Sequence, residues 1–98
     1  TAATLTALPF LPGAVALAAA GQASSLAPEN RAATLDRVTA PATPRTALLW
    51  DPQTAGGLLA AVPADQAAEV LAALAAAGEA AWQIGRVTAG PPAIEFAG

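Results

Sequence analysis

LLWDPQTAGGLLAAV, residues 48–62, sets two apolar runs on either side of a short polar loop that ends in paired glycines. Runs of this length bounded by turn residues read as strands. Thr46–Trp50 is then one strand and Gly57–Val62 another, joined by Asp51–Gly56 as an antiparallel pair. Pro63 ends the second, because proline cannot donate to a sheet ladder. Working outward, Ala64–Ala77 reads as a helix: Ala67, Val70, Leu71, Leu74 and Gly78 fall on one stripe, and Gly78 closes the end. Asp65 lies in the first turn, where a carboxylate favours the helix dipole. Ala81–Val87 reads as a strand with Trp82, Ile84 and Arg86 on one face. Gly90-Pro91-Pro92 is a turn, and Ala93–Phe96 a final short strand. Were the strands around Leu58 and Val87 parallel, the crossover between them would be right-handed.

On the N-terminal side, Leu11-Pro12-Gly13 reads as a helix start. The helix runs over about 13–20 and stops at Gly21. Residues 22–45 are poor in large apolar side chains and hold Pro28, Pro41 and Pro44, so they read as irregular, with at most a short helix around Arg31–Val38. The expected organisation is one α+β domain over 1–98: a helix, an irregular region 22–45, then β-loop-β-α-β-β over 46–96. One or two helices would pack on an antiparallel or mixed sheet.

The composition narrows the functional classes. Of 98 residues, 55% are apolar but only 11% are charged, against the ~25% typical of soluble domains. Much of the apolar count is alanine, which buries little. Larger candidates for a core are few, among them Phe10, Leu48, Leu49, Trp50, Val70, Leu71, Trp82, Ile84, Ile94 and Phe96. So thin a core on so short a chain is marginal alone: either the fold is compact, or some of its apolar surface packs on something else. The net charge of −3, with four Arg, no Lys and no basic run, speaks against a nucleic-acid footprint. The absence of Cys and His excludes disulfides, thiol nucleophiles, imidazole bases and ordinary zinc sites. Residues 1–28 carry no charge, but Pro9, Pro12, Gly13 and Gly21 interrupt them, so no membrane span is expected. They contain no basic n-region, so they are not read as a signal peptide.

Two short stretches carry polar chemistry. In DPQTAGG, Asp51 can cap a turn and Pro52 presets φ, while Gly56 and Gly57 can take positive φ or a bulge. The same residues also suit a ligand loop: Asp51, Gln53 and Thr54 offer an acid, an amide and a hydroxyl, and Gly56 and Gly57 leave backbone amides bare. The loop lacks the Lys of a phosphate-binding P-loop and the spacing of a dinucleotide fingerprint. Asn30-Arg31 is either a solvated loop pair or an anion-facing one. Trp50 and Trp82 read as core anchors rather than a stacking platform. No carboxylate pair or nucleophile-base pattern appears, so no catalytic residue and no metal ligand set is assigned.

LLWDPQTAGGLLAAVP (48–63) resembles the LLxDPQTSGGLLxAVP stretch of the selenophosphate synthetase (selenide, water dikinase) family. LPFLPGAVALAAAGQASSL (8–26) looks like that family's Leu-Pro-Gly helix start, PENRA (28–32) like its downstream Asn-containing loop, and AAWQIGRV (80–87) like its late Ile-Gly strand. The similarity covers nearly the whole chain in order, and DPQT-x-GG is its most specific part. Ala55 departs from the usual Ser. The family belongs to the aminoimidazole ribonucleotide synthetase superfamily, whose members join an N-terminal ATP-binding, dimerising domain to a C-terminal α+β domain. The resemblance implies that this chain is a truncated C-terminal domain of that type. Its parent would be a cytoplasmic homodimeric enzyme that uses magnesium and ATP to turn selenide and water into selenophosphate, AMP and phosphate. The family's catalytic Cys or selenocysteine and Lys belong to an N-terminal segment, so this chain alone is expected to be inactive and to hold no cofactor. Its expected partner is the ATP-binding domain, and its expected cleft-facing residues are Asp51, Gln53, Thr54, Gly56, Gly57 and Asn30. The other readings are a non-catalytic packing module, or the equivalent domain of a thiamine-monophosphate kinase or a hydrogenase maturation protein.

Overall fold

The computed structural model describes residues 1–53 and 55–97. Its strands are β1 (Ala2–Leu5), β2 (Val38–Thr39), β3 (Gly85–Thr88) and β4 (Ala93–Phe96). They form one mixed sheet in the order β2-β4-β1-β3. β1 runs antiparallel to β3 and parallel to β4, and β2 runs parallel to β4. Paired residues share a face and neighbours along a strand alternate. The register pairs Val38 with Ile94, Ile94 with Ala3, Ala3 with Val87, and Leu5 with Phe96, so these six define an apolar face. Thr39, Glu95, Thr4 and Arg86 fall in one row on the opposite, polar face. Phe96, only 2% exposed, is the centre of the core.

The helices are α1 (Ala14–Ala19), α2 (Ala27–Thr34), α3 (Pro44–Ala47) and α4 (Ala67–Ala76). A 3₁₀ turn, Leu48–Trp50, continues α3, and another, Ala64–Gln66, leads into α4. α1 packs on α3, and α2 packs on the Leu48–Trp50 turn. The expected helices near 13–20 and 64–77, the Ala93–Phe96 strand and the mixed α+β class all appear. α4 ends as its sequence demands: Gly78 takes φ 80°. There the Gly78 N–H donates to Ala75 O at 3.0 Å and the Glu79 N–H to Leu74 O at 2.9 Å. That pair of bonds satisfies carbonyls the helix would leave open, and the left-handed φ suits glycine.

The middle of the chain corrects the opening expectation. Thr46–Trp50 is helical rather than a strand, and Gly57–Val62 has no regular structure. There is therefore no antiparallel pair across the 51–56 loop and no crossover from Leu58. The helix is set by a capping box. Thr43 Oγ1 accepts from Thr46 N at 3.2 Å, Thr46 Oγ1 accepts from Thr43 N at 3.0 Å, and Pro44 takes an early helical position. Thr46, 3% exposed, also donates from its hydroxyl to Pro41 O. Gly57–Val62 is rich in Leu and Ala rather than β-branched residues, and among the described residues it joins no strand pairing. Residues 22–45 are more ordered than expected, holding α2, β2 and the first turn of α3. The short helix lies at 27–34 rather than 31–38, because Pro28 and Glu29 suit its first turn. The Ala81–Val87 strand shortens to start at Gly85, which leaves Trp82 60% exposed and not a core anchor. Pro12 stands before the α1 cap, Gly13, rather than inside the helix. The N-terminal Ala2–Leu5, given no element from sequence, supplies an inner strand of the sheet.

Among the described residues, no helix is long and apolar enough to cross a membrane. Leu58, Leu59, Trp82, Val87 and Ile94 are exposed. The radius of gyration is 14.8 Å, larger than the ~13 Å of a compact domain of this length. Of the two outcomes expected of so thin a core, apolar surface left open is the one observed.

Candidate functional site

The site grows from α2. Asn30 and Thr34 stand four residues apart, so they project from one face of the helix. That face meets the 3₁₀ turn. Asn30 Nδ2 donates to Trp50 O at 2.9 Å, and Trp50 Nε1 donates to Thr34 Oγ1 at 2.8 Å. The Arg31 guanidinium lies 5.5 Å from the centroid of the Trp50 ring, within cation–π reach. Trp50 is thus half-buried and gripped by three residues of one helix. It anchors the root of the loop rather than the middle of the core.

From that root the chain turns out. The Asp51 N–H donates to Leu48 O at 3.2 Å and closes the 3₁₀ turn. Asp51 then takes φ −67°, ψ 125°, the extended shape a following proline imposes. Asp51 as a residue is half-buried, and its Oδ2 accepts from Gln53 Nε2 at 2.7 Å. This replaces the expected cap, in which Asp51 would bond a backbone N–H two residues on. Gly56 and Gly57 do not take positive φ. Among the described residues, a Cβ at Gly57 would meet nothing within 4 Å, and one at Gly56 only Gln53 Cβ at 4.0 Å. Neither a left-handed turn nor packing within this chain therefore requires the two glycines. Thr54 lies outside the described residues.

Of the sequence-predicted set, the structure brings Asn30 to the base of the loop and joins Asp51 to Gln53; Gly56 and Gly57 stand exposed farther along. Arg31, read from sequence as half of either a solvated or an anion-facing pair, lies over the Trp50 ring. Thr34 was missed from sequence, although its spacing of four from Asn30 was the available signal. Among the described residues, no group of three or more Asp or Glu is placed to hold a metal ion.

A family model described as "AIR synthase related protein, C-terminal domain" matches residues 15–96. A curated protein from Myxococcus xanthus (strain DK1622) named "Selenide, water dikinase" is 57% identical over 51 residues. That alignment takes in 52% of this chain and 14% of the Myxococcus protein, so the chain matches only a small part of this relative's length. No solved structure gives a significant match.

Proposed function

Since the chain belongs to the AIR synthase related protein, C-terminal domain family, we propose that it is part of the C-terminal domain of a selenophosphate-forming enzyme. In this reading Asp51, Gln53, Thr54, Gly56, Gly57 and Asn30 serve a cleft shared with an ATP-binding domain, and the parent works as a homodimer. The reaction would convert ATP, selenide and water to selenophosphate, AMP and phosphate. The observation that carries the reading is the Asp51–Gly57 loop. Its root is tied to α2 through Trp50, while the space beside its glycines is open. A fixed base and a bare tip are what a loop needs to bring backbone amides against a ligand. The identity to the Myxococcus enzyme supports the same assignment.

The donor set here does not fit resident magnesium. That ion needs near-octahedral oxygen ligation, whereas Asp51 is a single carboxylate with one oxygen already bonded by Gln53. The chain's own contribution is to hold the loop: Asn30 fixes the Trp50 carbonyl, Thr34 fixes the indole, and Gln53 orients Asp51. The exposed Leu58, Leu59 and Trp82 favour a second role for the chain, packing against the partner domain.

The test is enzymatic. The full-length protein that carries this chain should release AMP from ATP only when selenide is present. Phosphorylation of thiamine monophosphate instead, or ATP turnover indifferent to selenide, would move the assignment elsewhere in the superfamily.

A further inference from the structure

We propose a second site on the polar face of the sheet, a shallow groove that takes a small oxyanion, carboxylate or phosphate, on Arg86. The groove has a volume of about 240 Å³ and is lined by Thr4, Thr6, Gln83, Gly85 and Arg86. Three local features build it. Thr6 N and Ala7 N both donate to Ile84 O, at 2.9 and 3.3 Å, so β1 bulges where it leaves β3. Such bulges re-aim neighbouring side chains, and here Gln83 joins the lining. Gly85 lets the two strands approach closely at the groove: an ideal Cβ there would stand 2.1 Å from Thr4 O. The register then places Arg86 directly beside Thr4.

The chemistry of the lining selects an anion. Arg86 supplies a planar fork of donors, and Thr4, Thr6 and Gln83 supply neutral hydroxyl and amide donors; no carboxylate is among them. The other three arginines are occupied within the fold. Arg31 lies over Trp50; Arg37 donates to Ala33 O and faces Asp36; Arg45 donates to Leu8 O and lies over Phe10. Among the described residues Arg86 has no ion-pair partner. Glu95 shares its face but stands beyond Thr4, two strand spacings or roughly 10 Å away. It therefore weakens binding without filling the site. This site is separate from the Asp51 loop and does not rest on the enzymatic reading.

The test is an amide-shift titration of the ¹⁵N-labelled chain with inorganic phosphate and, separately, with acetate, against sodium chloride at matched ionic strength. Saturating shifts at Thr4, Thr6, Gln83, Gly85 and Arg86 are expected with one or both oxyanions, and their relative strength identifies the better ligand. R86Q should weaken the response about tenfold or more, and E95Q should strengthen it. Shifts that match the chloride control, or that survive unchanged in R86Q, would overturn the proposal. Both variants alter exposed side chains and should leave the rest of the spectrum in place.

Discussion

Gly85 offers the sharpest stability test. Placing a Cβ there puts it 2.1 Å from Thr4 O and 3.0 Å from both Leu5 Cα and Thr4 C. All three atoms are backbone, so no rotamer change relieves the clash; β1 and β3 must move apart. Overpacking a site usually costs about 1–3 kcal/mol, and a clash with a rigid ladder belongs at the upper end. At ~4–8 °C per kcal/mol for a domain of this size, an upper-end cost of ~3 kcal/mol lowers Tm by about 12–24 °C. Thermal unfolding of G85A followed by far-UV circular dichroism reads this directly. G57A is the matched control, because its Cβ enters open space, and its Tm should stay within about 2 °C of the parent chain. A G85A midpoint as close to the parent as that of G57A would refute the close approach of β1 and β3.

Two further outcomes follow from local geometry. T34V removes the acceptor of the Trp50 indole while nearly keeping side-chain volume. It should cost about 1 kcal/mol, the low end for an orphaned donor that is only half-buried, and it should alter Trp50 emission; an unchanged spectrum and midpoint would dissolve the anchor. G78A forces alanine to φ 80° and should cost about 1–2 kcal/mol, seen as a lower urea midpoint with the slope unchanged, whereas a neutral result would mean that α4 ends differently.

The parts of the fold legible in sequence were those with local punctuation. α4 announced itself by its stripe and Gly78, α1 by Gly21, and β4 by the Gly-Pro-Pro turn before it. The decisive 46–62 stretch misled for a physical reason. An apolar run of Leu, Ala and Trp is equally compatible with helix and strand, and the side chains that settle it, Thr43 and Thr46, lie largely upstream in a stretch read as irregular. β1 was overlooked because Ala and Thr dominate it; its alternation of Thr4 and Thr6 with Leu5 was the signal. For the candidate site, the loop was visible in its residues, but its tether was not. The bonds from Asn30 to Trp50 and from Trp50 to Thr34 span 20 and 16 residues, and no local pattern encodes them. The glycines are the converse case: the sequence supports positive φ at 56 and 57, yet the chain threads them without it.

In the proposed function the Asp51–Gly57 loop faces the reaction in the parent enzyme. Its most direct test is selenide-dependent AMP formation by the full-length protein with and without D51N, a near-isosteric change that keeps an acceptor for Gln53. With the fold intact by circular dichroism, kcat/KM should fall on the order of 100-fold, the scale for losing one charged group at a reacting centre. A folded D51N enzyme that keeps the full selenide-dependent rate would contradict the account.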